Sequence, residues 1–305
     1  MSQEKSIAHV IFYQLRSKAK ANNEDFSLLL ARYGMERLLY RLSISSHSEQ
    51  FILKGASMFL VWKGQSYRVT KDADLLGFGN PDIEQLADTF RNICSIEFPD
   101  DGIVYLPETL KAEKISEAQE YEGALIKLVG LLNEAKIPLQ IDIGFGDIIT
   151  PTPESVEYPT LLGTPPPLLR AYTQYTLIAE KFEAMVDLGL ANSRMKDFYD
   201  IWLLSKLFSF KGDVLQKALK NTFERRGTAF PKSMPFAFTS DFYDNSQKLT
   251  QWEAFVKKAK LKVSVGNLAS VVTEISGFLT PVIQSDVVFE SVWLCESGEW
   301  GKQTP

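Results

Sequence analysis

Cysteine and histidine are scarce in this chain, with two of each in 305 residues. Cys94 and Cys295 stand far apart, which excludes a disulfide scaffold, and with only His9 and His47 beside them a Cys/His zinc site lacks ligands. Long apolar runs are missing as well. No stretch approaches the roughly 20 residues that cross a bilayer, and the opening MSQEKSIAHVIFYQLRSK is too polar for a secretory signal. The expected compartment is the cytosol, with no membrane partner. Positive charge is in deficit: the formal net charge is −5. Such a chain is no general coater of nucleic acid, because non-specific affinity comes from Lys and Arg neutralising phosphates. Two local basic segments remain, Lys217, Lys220, Arg225 and Arg226 on one expected helix and the run KKAKLK at 257–262. Each reads either as a solvated helix face or as a place to hold RNA. Internal repeats and low-complexity tracts are absent.

What is present is ordinary globular composition, 45% apolar and 23% charged, at a length that calls for one large domain or two packed lobes. Residues 4–45 read as helical, with few Gly or Pro. Between 51 and 149 the elements alternate: QFILKG as a strand, ASMFLVWK as a helix and 72–78 as a strand. A helix then starts with Asn80 as cap and Pro81 in its first turn and ends near Ile93. GIVYL, EKISEA, ALIKLVGLL and PLQIDIGF follow as four strand-like segments. Residues 147–170 are rich in proline and read as an extended connector. Beyond it the chain reads as helical to about 280, with Pro281 as the stop, and 282–305 shows no clear pattern. The expected architecture is α/β (α+β): a lobe with a mixed or mostly antiparallel sheet and N-terminal helices over 1–165, then an all-helical lobe over 166–305.

The densest signal is FILKGASMFLVWKGQSYRVTKDADLL at 51–76. An apolar strand reaches a tight turn at Lys54-Gly55-Ala56-Ser57, followed by a helix, a polar loop with Arg68 and Thr70, and a second strand carrying Asp72 and Asp74. Such a turn can offer backbone amides and a helix N-terminus to a phosphate. On a strand, Asp72 and Asp74 point to one face because side chains alternate with period two. Two hard carboxylate ligands beside a phosphate cradle suit Mg²⁺, which binds few protein ligands plus substrate phosphates. The pattern reads as metal-dependent chemistry on a nucleoside triphosphate.

Three further segments hold polar residues in apolar settings. In PLQIDIGFGD, Asp142 sits between Ile141 and Ile143, so Gln140 and Asp142 either meet water on a solvated face or serve a site. Asp147 reads as a loop cap. In TLIAEKFEAMVDLG, Tyr175, Ile178, Ala179, Phe182, Met185 and Val186 form an apolar stripe. Lys181 lies at its flank and Glu180 opposite. A flank lysine is either solvated or buries its stem and delivers its ammonium into a cleft. After a stop at Gly189 and a cap at Asn192-Ser193, the next helix buries Met195, Phe198, Tyr199, Trp202 and Leu203. Asp197 and Asp200 fall off that face, toward solvent or a cleft, and Arg194 is spaced for an i,i+3 ion pair with Asp197.

Gly55-Ala56-Ser57, a spacer and Arg68-x-Thr70-x-Asp72-x-Asp74 resemble the opening signature of the nucleotidyltransferase-fold AbiEii/AbiGii toxins, which are related to the MenT toxins. AEKFEAM and RMKDFYD are similar to two later family segments, so the resemblance runs over roughly 45–280. Ala56 stands where the family has a second glycine. The resemblance implies Asp72, Asp74, Lys181 and Asp197 as catalytic residues. Asp142 takes the place of the third metal-binding carboxylate usual in nucleotidyltransferase folds, and Asp200 is a structural second choice. Lys54, Gly55, Ala56, Ser57, Arg68 and Thr70 are implied as nucleotide-binding, with Arg68 and Arg194 placed either to contact phosphates or to orient carboxylates. Acidic groups of the early lobe and Lys181 of the later one are expected to converge on one pocket.

The activity so implied is Mg²⁺-dependent transfer of a nucleoside monophosphate from an NTP to an acceptor, an RNA such as the 3′ end of tRNA. The setting implied is a toxin–antitoxin or phage-defence (abortive infection) system with a cognate antitoxin encoded nearby. Rival readings are an NTP-dependent protein-modifying enzyme or kinase, a GTP-binding or partner-binding module without turnover, and a domain whose paired aspartates are a solvated strand end.

Overall fold

A computed structural model describes residues 6–70, 72–116 and 122–302. The chain divides into two compact units. The first comprises Met1–Ser66, Thr70–Gly146 and Glu154–Ala171, and the second comprises Tyr67–Val69, Asp147–Pro153 and Tyr172–Pro305. The division is therefore not a single cut, because two short segments of the early chain fold with the later one.

In the first unit, α1 (Ile7–Ala21) and α2 (Phe26–Ile44) replace the single helical stretch expected from the sequence, whose residues 4 and 5 lie outside the described residues. Asp25 caps α2 by accepting from the Ser27 and Leu28 amides at 2.9 and 3.1 Å. β1 (Phe51–Lys54), α3 (Met58–Lys63), β2 (Ala73–Gly77) and α4 (Ile83–Cys94) follow. The cap of α4 is Asp82, not Asn80, since its Oδ1 accepts the Gln85 amide at 2.9 Å and leaves Pro81 outside the helix.

The four strand-like segments that follow form three strands, β3 (Ile103–Ser116), β4 (Glu122–Leu132) and β5 (Ala135–Phe145). GIVYL and the start of EKISEA belong to one strand, β3, whose register shifts between Leu106 and Lys111. Glu117 and Ala118 of EKISEA lie outside the described residues. Pro107 has no N–H for a ladder, and Thr109 fills the irregularity. Its hydroxyl donates to the Leu106 carbonyl at 2.7 Å and accepts from the Val129 amide at 3.0 Å. The proline-rich connector is extended as expected, but β6 (Glu154–Glu157) and β7 (Leu168–Ala171) within it join the sheet.

Among the described residues the sheet has seven strands in the order β3-β4-β5-β2-β1-β7-β6. It is mixed: β2 runs parallel to β5 and antiparallel to β1, and β1 pairs parallel with β7. The strands that carry Asp142, Asp74 and Lys54 are therefore central neighbours. Beneath them α2 contributes Leu38, Leu39 and Leu42 to the core and also buries Arg37 and Arg41. Both guanidiniums hold Asp101, Arg37 through Nε at 3.0 Å and Arg41 at 2.7 and 3.1 Å. Next to them, Glu36 accepts the Leu161 amide at 2.8 Å. Burial pushes its carboxyl up to about 7, against the pull of that amide and Arg37. This buried set ties the 161–165 segment to α2, through Leu161, Thr164 and Pro165.

The second unit is built from α5 (Gln174–Leu188), α6 (Met195–Leu207), β8 (Phe210–Lys211), α7 (Gly212–Arg226), α8 (Ser240–Tyr243), α9 (Ser246–Lys258) and α10 (Leu268–Ile283). It is not all-helical. β9 (Val292–Leu294) and β10 (Glu299–Gly301) form a hairpin that pairs with β8. The tail that showed no pattern is held by tryptophan: Trp293 donates to the Ser205 carbonyl at 2.7 Å, and Trp300 donates to Phe278 at 2.9 Å and stacks on its ring. Residues 303–305 lie outside the described residues. Pro281 lies inside the last turn of α10, where it removes one i→i−4 hydrogen bond, and the helix stops two residues later at Ile283.

Candidate active site

In the first unit the turn after β1 is shaped around Asp74. Antiparallel pairing sets Lys54 opposite Asp74, and parallel pairing sets Asp74 opposite Asp142. Side chains in register on neighbouring strands project to one face, so Asp74 and Asp142 share a side of the sheet. Ile141 and Ile143 are buried on the other side. Gln140 donates to Asp142 Oδ1 at 3.0 Å. Asp72 lies just before β2, and Thr70 donates its hydroxyl to the Asp72 carbonyl at 3.3 Å.

Gly55 has φ +75, and a Cβ placed on it would fall on the Asp74 carboxylate. Glycine is thus required twice, for the left-handed backbone and for the close approach of that carboxylate. Ala56 and Ser57 are buried, and the Ser57 hydroxyl donates back to the Lys54 carbonyl at 3.1 Å. Gly55→Ala is expected to reduce activity far more than stability. The strained φ costs roughly 1–2 kcal/mol, while the new methyl expels the Asp74 carboxylate from its place. Activity and Tm measured on the same preparation check this, and an equal loss in both would contradict it.

Among the described residues, no group of three or more His, Cys, Asp or Glu is arranged to hold a metal ion by itself. Asp74 with Asp72 or Asp142 offers a few hard oxygens. That donor set fits a cation completed by substrate phosphates and water rather than an all-protein cage.

In the second unit, α5 and α6 bring together the other chemistry-bearing residues. Both helices are buried more fully than their stripes suggest: α5 buries Thr176 to Met185 except Glu180, and α6 buries Asp197 to Ser205. Lys181 is therefore not solvated. Its Nζ meets Asp197 Oδ1 at 2.5 Å and Asp200 Oδ2 at 2.9 Å. Asp197 also accepts from Arg194 Nε at 2.7 Å, the i,i+3 pair expected from spacing. Asp197 and Asp200 do not face solvent, with exposures of 1% and 0%, because α5, α9 and α10 pack around α6. Asn192 accepts the Arg194 amide at 2.8 Å just before α6 begins.

Arg68 takes the carboxylate-orienting role that its resemblance allowed. It folds with the second unit and grips Asp200 with two parallel bonds, Nε to Oδ1 at 2.8 Å and Nη2 to Oδ2 at 2.9 Å. Asp200 is thus a full member of the network rather than a structural bystander. The sequence signal for this was the KDFYD spacing, which stacks two aspartates three apart on one helix face. Lys181, Arg68 and Arg194 give three positive charges against two negative ones from Asp197 and Asp200, 3 − 2 = +1, a surplus suited to an anion.

Burial would push the Asp200 carboxyl up, but the Arg68 guanidinium and the Lys181 ammonium outweigh it and hold it well below the ordinary carboxylate range. Asp197 is held low in the same way, against burial, by Lys181 and Arg194. Burial would lower the Lys181 ammonium, yet Asp197 and Asp200 raise it. At neutral pH all three are charged. Lys181 is a fixed cation, not a proton acceptor.

Asp147, expected as a loop cap, takes part in an ion network. It accepts from Arg226 Nε and Nη2 at 3.0 and 2.8 Å, and Arg226 also holds Glu183 at 2.7 Å. Glu180 accepts from the Tyr172 hydroxyl at 2.7 Å. This ion network was not legible, because its members are spread over 147–226.

A solved structure of JHP933 from Helicobacter pylori is similar over 81% of this chain and 88% of its own, at 16% identity and a TM-score of 0.46. A second H. pylori structure, of a candidate nucleotidyltransferase, is similar over 81% and 91% of the two chains, at 17% identity and a TM-score of 0.45. Comparison with curated proteins finds no match. The sequence pattern of the family described as "Nucleotidyl transferase AbiEii toxin, Type IV TA system" matches residues 37–265, a span that takes in both the Gly55–Asp74 motif and the Lys181–Asp200 network. The chain belongs to the AbiEii nucleotidyltransferase toxin family.

Proposed function

We propose that this protein is a Mg²⁺-dependent toxin that transfers a nucleoside monophosphate from an NTP to an RNA hydroxyl, with the 3′ end of tRNA as acceptor. It would act in the cytoplasm and be countered by an antitoxin encoded nearby. Among the described residues no helix is long and apolar enough to cross a membrane. The observation that carries the reading is the placing of Asp74, held against Gly55 and in register with Asp142 on the central strands.

In this reading Asp72 and Asp74 hold the metal-bound triphosphate, with Asp142 beside them and the Lys54–Ser57 turn and Thr70 at its phosphates. Bound Mg²⁺ would neutralise charge developing at the α-phosphorus and on the leaving pyrophosphate. The acceptor oxygen forms a bond to the α-phosphorus, the α–β phosphoanhydride bond breaks, pyrophosphate departs and the hydroxyl proton passes to solvent. Lys181 offsets triphosphate charge. Asp197 serves by orienting Lys181, since a carboxylate already held by two cations is a poor proton acceptor. Arg68 and Arg194 keep the two carboxylates in place. Positioning and electrostatics supply most of the rate, as in phosphoryl transfer generally.

The test is incubation with total tRNA and each NTP, labelled at the α or the γ phosphate. The expected result is α label on RNA with stoichiometric pyrophosphate. Incorporation of γ label would make the protein a phosphoryl transferase, and α label on protein alone would overturn the RNA acceptor. Absence of pyrophosphate with every NTP would reduce it to a nucleotide-binding module.

A further inference from the structure

The two basic segments of the sequence come apart in the structure. On α7, Arg226 turns inward onto Asp147 and Glu183, which leaves Lys217, Lys220 and Arg225 exposed without it. At the C-terminal end of α9 the opposite holds: Lys257, Lys258, Lys260 and Lys262 are all exposed. Among the described residues none of the four takes part in an ion pair. Lys248, on the same helix, points inward and donates to the Asn192 carbonyl at 2.8 Å. The outward display is thus confined to the last turn and the segment after it. Lys260 has φ +46, a left-handed position that glycine fills more cheaply.

This segment is also tied to the charged network. The Val69 amide donates to the Ala259 carbonyl at 3.1 Å, and the Lys262 amide donates to the Tyr67 carbonyl at 3.0 Å. Those two bonds bracket Arg68, whose guanidinium runs to Asp200 and through it to Lys181. A row of cations on the surface therefore adjoins, through one short backbone pairing, the residues given above a role at the triphosphate.

We infer that residues 257–262 form the track on which the phosphates of an RNA acceptor lie. The inference rests on the nucleotidyl-transfer reading for its direction, since an acceptor strand must approach the residues that handle the triphosphate. Charge complementarity favours RNA over a protein partner. Protein interfaces centre on apolar and aromatic side chains and are depleted in lysine, whereas here the exposed side chains are lysines and the intervening Ala259 and Leu261 are partly buried. Lysines along a strand are point charges that follow phosphates without reading bases.

The test measures binding of total tRNA between 50 and 300 mM salt, in the Asp74→Asn background so that turnover plays no part. The triple variant Lys257→Gln, Lys258→Gln, Lys262→Gln leaves Lys260 to keep its backbone. Three lost phosphate contacts at about 0.7 each predict a fall of about 2 in the slope of log affinity against log salt. The affinity near 150 mM is expected to fall at least about tenfold with Tm unchanged, and the same triple variant made in the active protein is expected to keep its Mg²⁺–NTP binding. In the active protein the same variant is expected to raise KM for RNA and leave kcat alone. The control Lys217→Gln, Lys220→Gln is expected to leave the slope as in the parent. An unchanged slope in the triple variant, or an equal change in the control, would each overturn the inference. RNA binding that behaves as expected in a protein that transfers no nucleotide would instead tell against the catalytic reading and leave the track standing.

Discussion

Asp74→Asn is expected to lower nucleotidyl transfer by at least about 10³-fold while leaving the metal-free protein as stable as before, or more so. The size follows from the task given to this carboxylate. Removing one preorganised electrostatic partner of a transition state commonly costs 10²–10³ in rate, and a lost metal ligand adds impaired binding of the metal-bound substrate. Stability should not follow, because Asp74 stands opposite Asp142 on the neighbouring strand. Like charges facing each other across strands repel by a fraction of a kcal/mol. Asparagine keeps the shape against Gly55 and removes the repulsion. Tm without Mg²⁺ is expected to stay level or rise by a few degrees, while the Mg²⁺-dependent thermal shift given by NTP disappears. Retained transfer, or a large fall in the metal-free Tm, would mean that Asp74 is a structural carboxylate.

That contrast bears on what the sequence could convey. The strand–turn–helix around Gly55 was legible because each local choice agreed: an apolar strand, a glycine, a short apolar helix and alternating aspartates. The register that sets Asp74 opposite Asp142 was not, since it depends on a parallel pairing across more than sixty positions of chain, which no periodicity encodes. Lys181 and Asp197 could be named only through resemblance. Periodicity placed Lys181 at a flank and Asp197 off the buried face, where a lone charge is ordinarily solvated. Mutual neutralisation is what lets both be buried, and that is a property of the assembled set. Arg68 shows the same limit: contact with phosphates and orientation of carboxylates were both open to it, and only the backbone pairing of Tyr67 and Val69 with 259–262 names Asp200 as its partner. The tail 282–305 failed for another reason. Its strands are three residues each, and they are specified by Trp293 and Trp300 packing on distant Phe278 rather than by alternation.

Lys181→Met is expected to be the most destabilising single change among the site residues, at roughly 3–5 kcal/mol near neutral pH, because it strands two buried carboxylates. Asp200 keeps Arg68 and Asp197 keeps Arg194, so the loss falls toward the lower end of that range. The pH dependence follows from the directions of the shifts. Asp197 and Asp200 are held below their ordinary range, so their contribution is present above the unfolded value of about 3.9 and is lost as pH falls through the folded values. Lys181 is held above its ordinary value, so its contribution is complete below about 10.4 and is lost as pH rises through the folded value. The difference in Tm between wild type and Lys181→Met should therefore be flat from about pH 5 to pH 10 and shrink on both sides. A step between pH 6 and 8 would contradict the assignment of fixed charges. Adding Asp197→Asn to Lys181→Met removes one of the stranded charges and should restore part of the stability without restoring transfer. Such a partial rescue of the fold separates the two roles of Lys181, since a purely structural lysine would recover activity along with Tm.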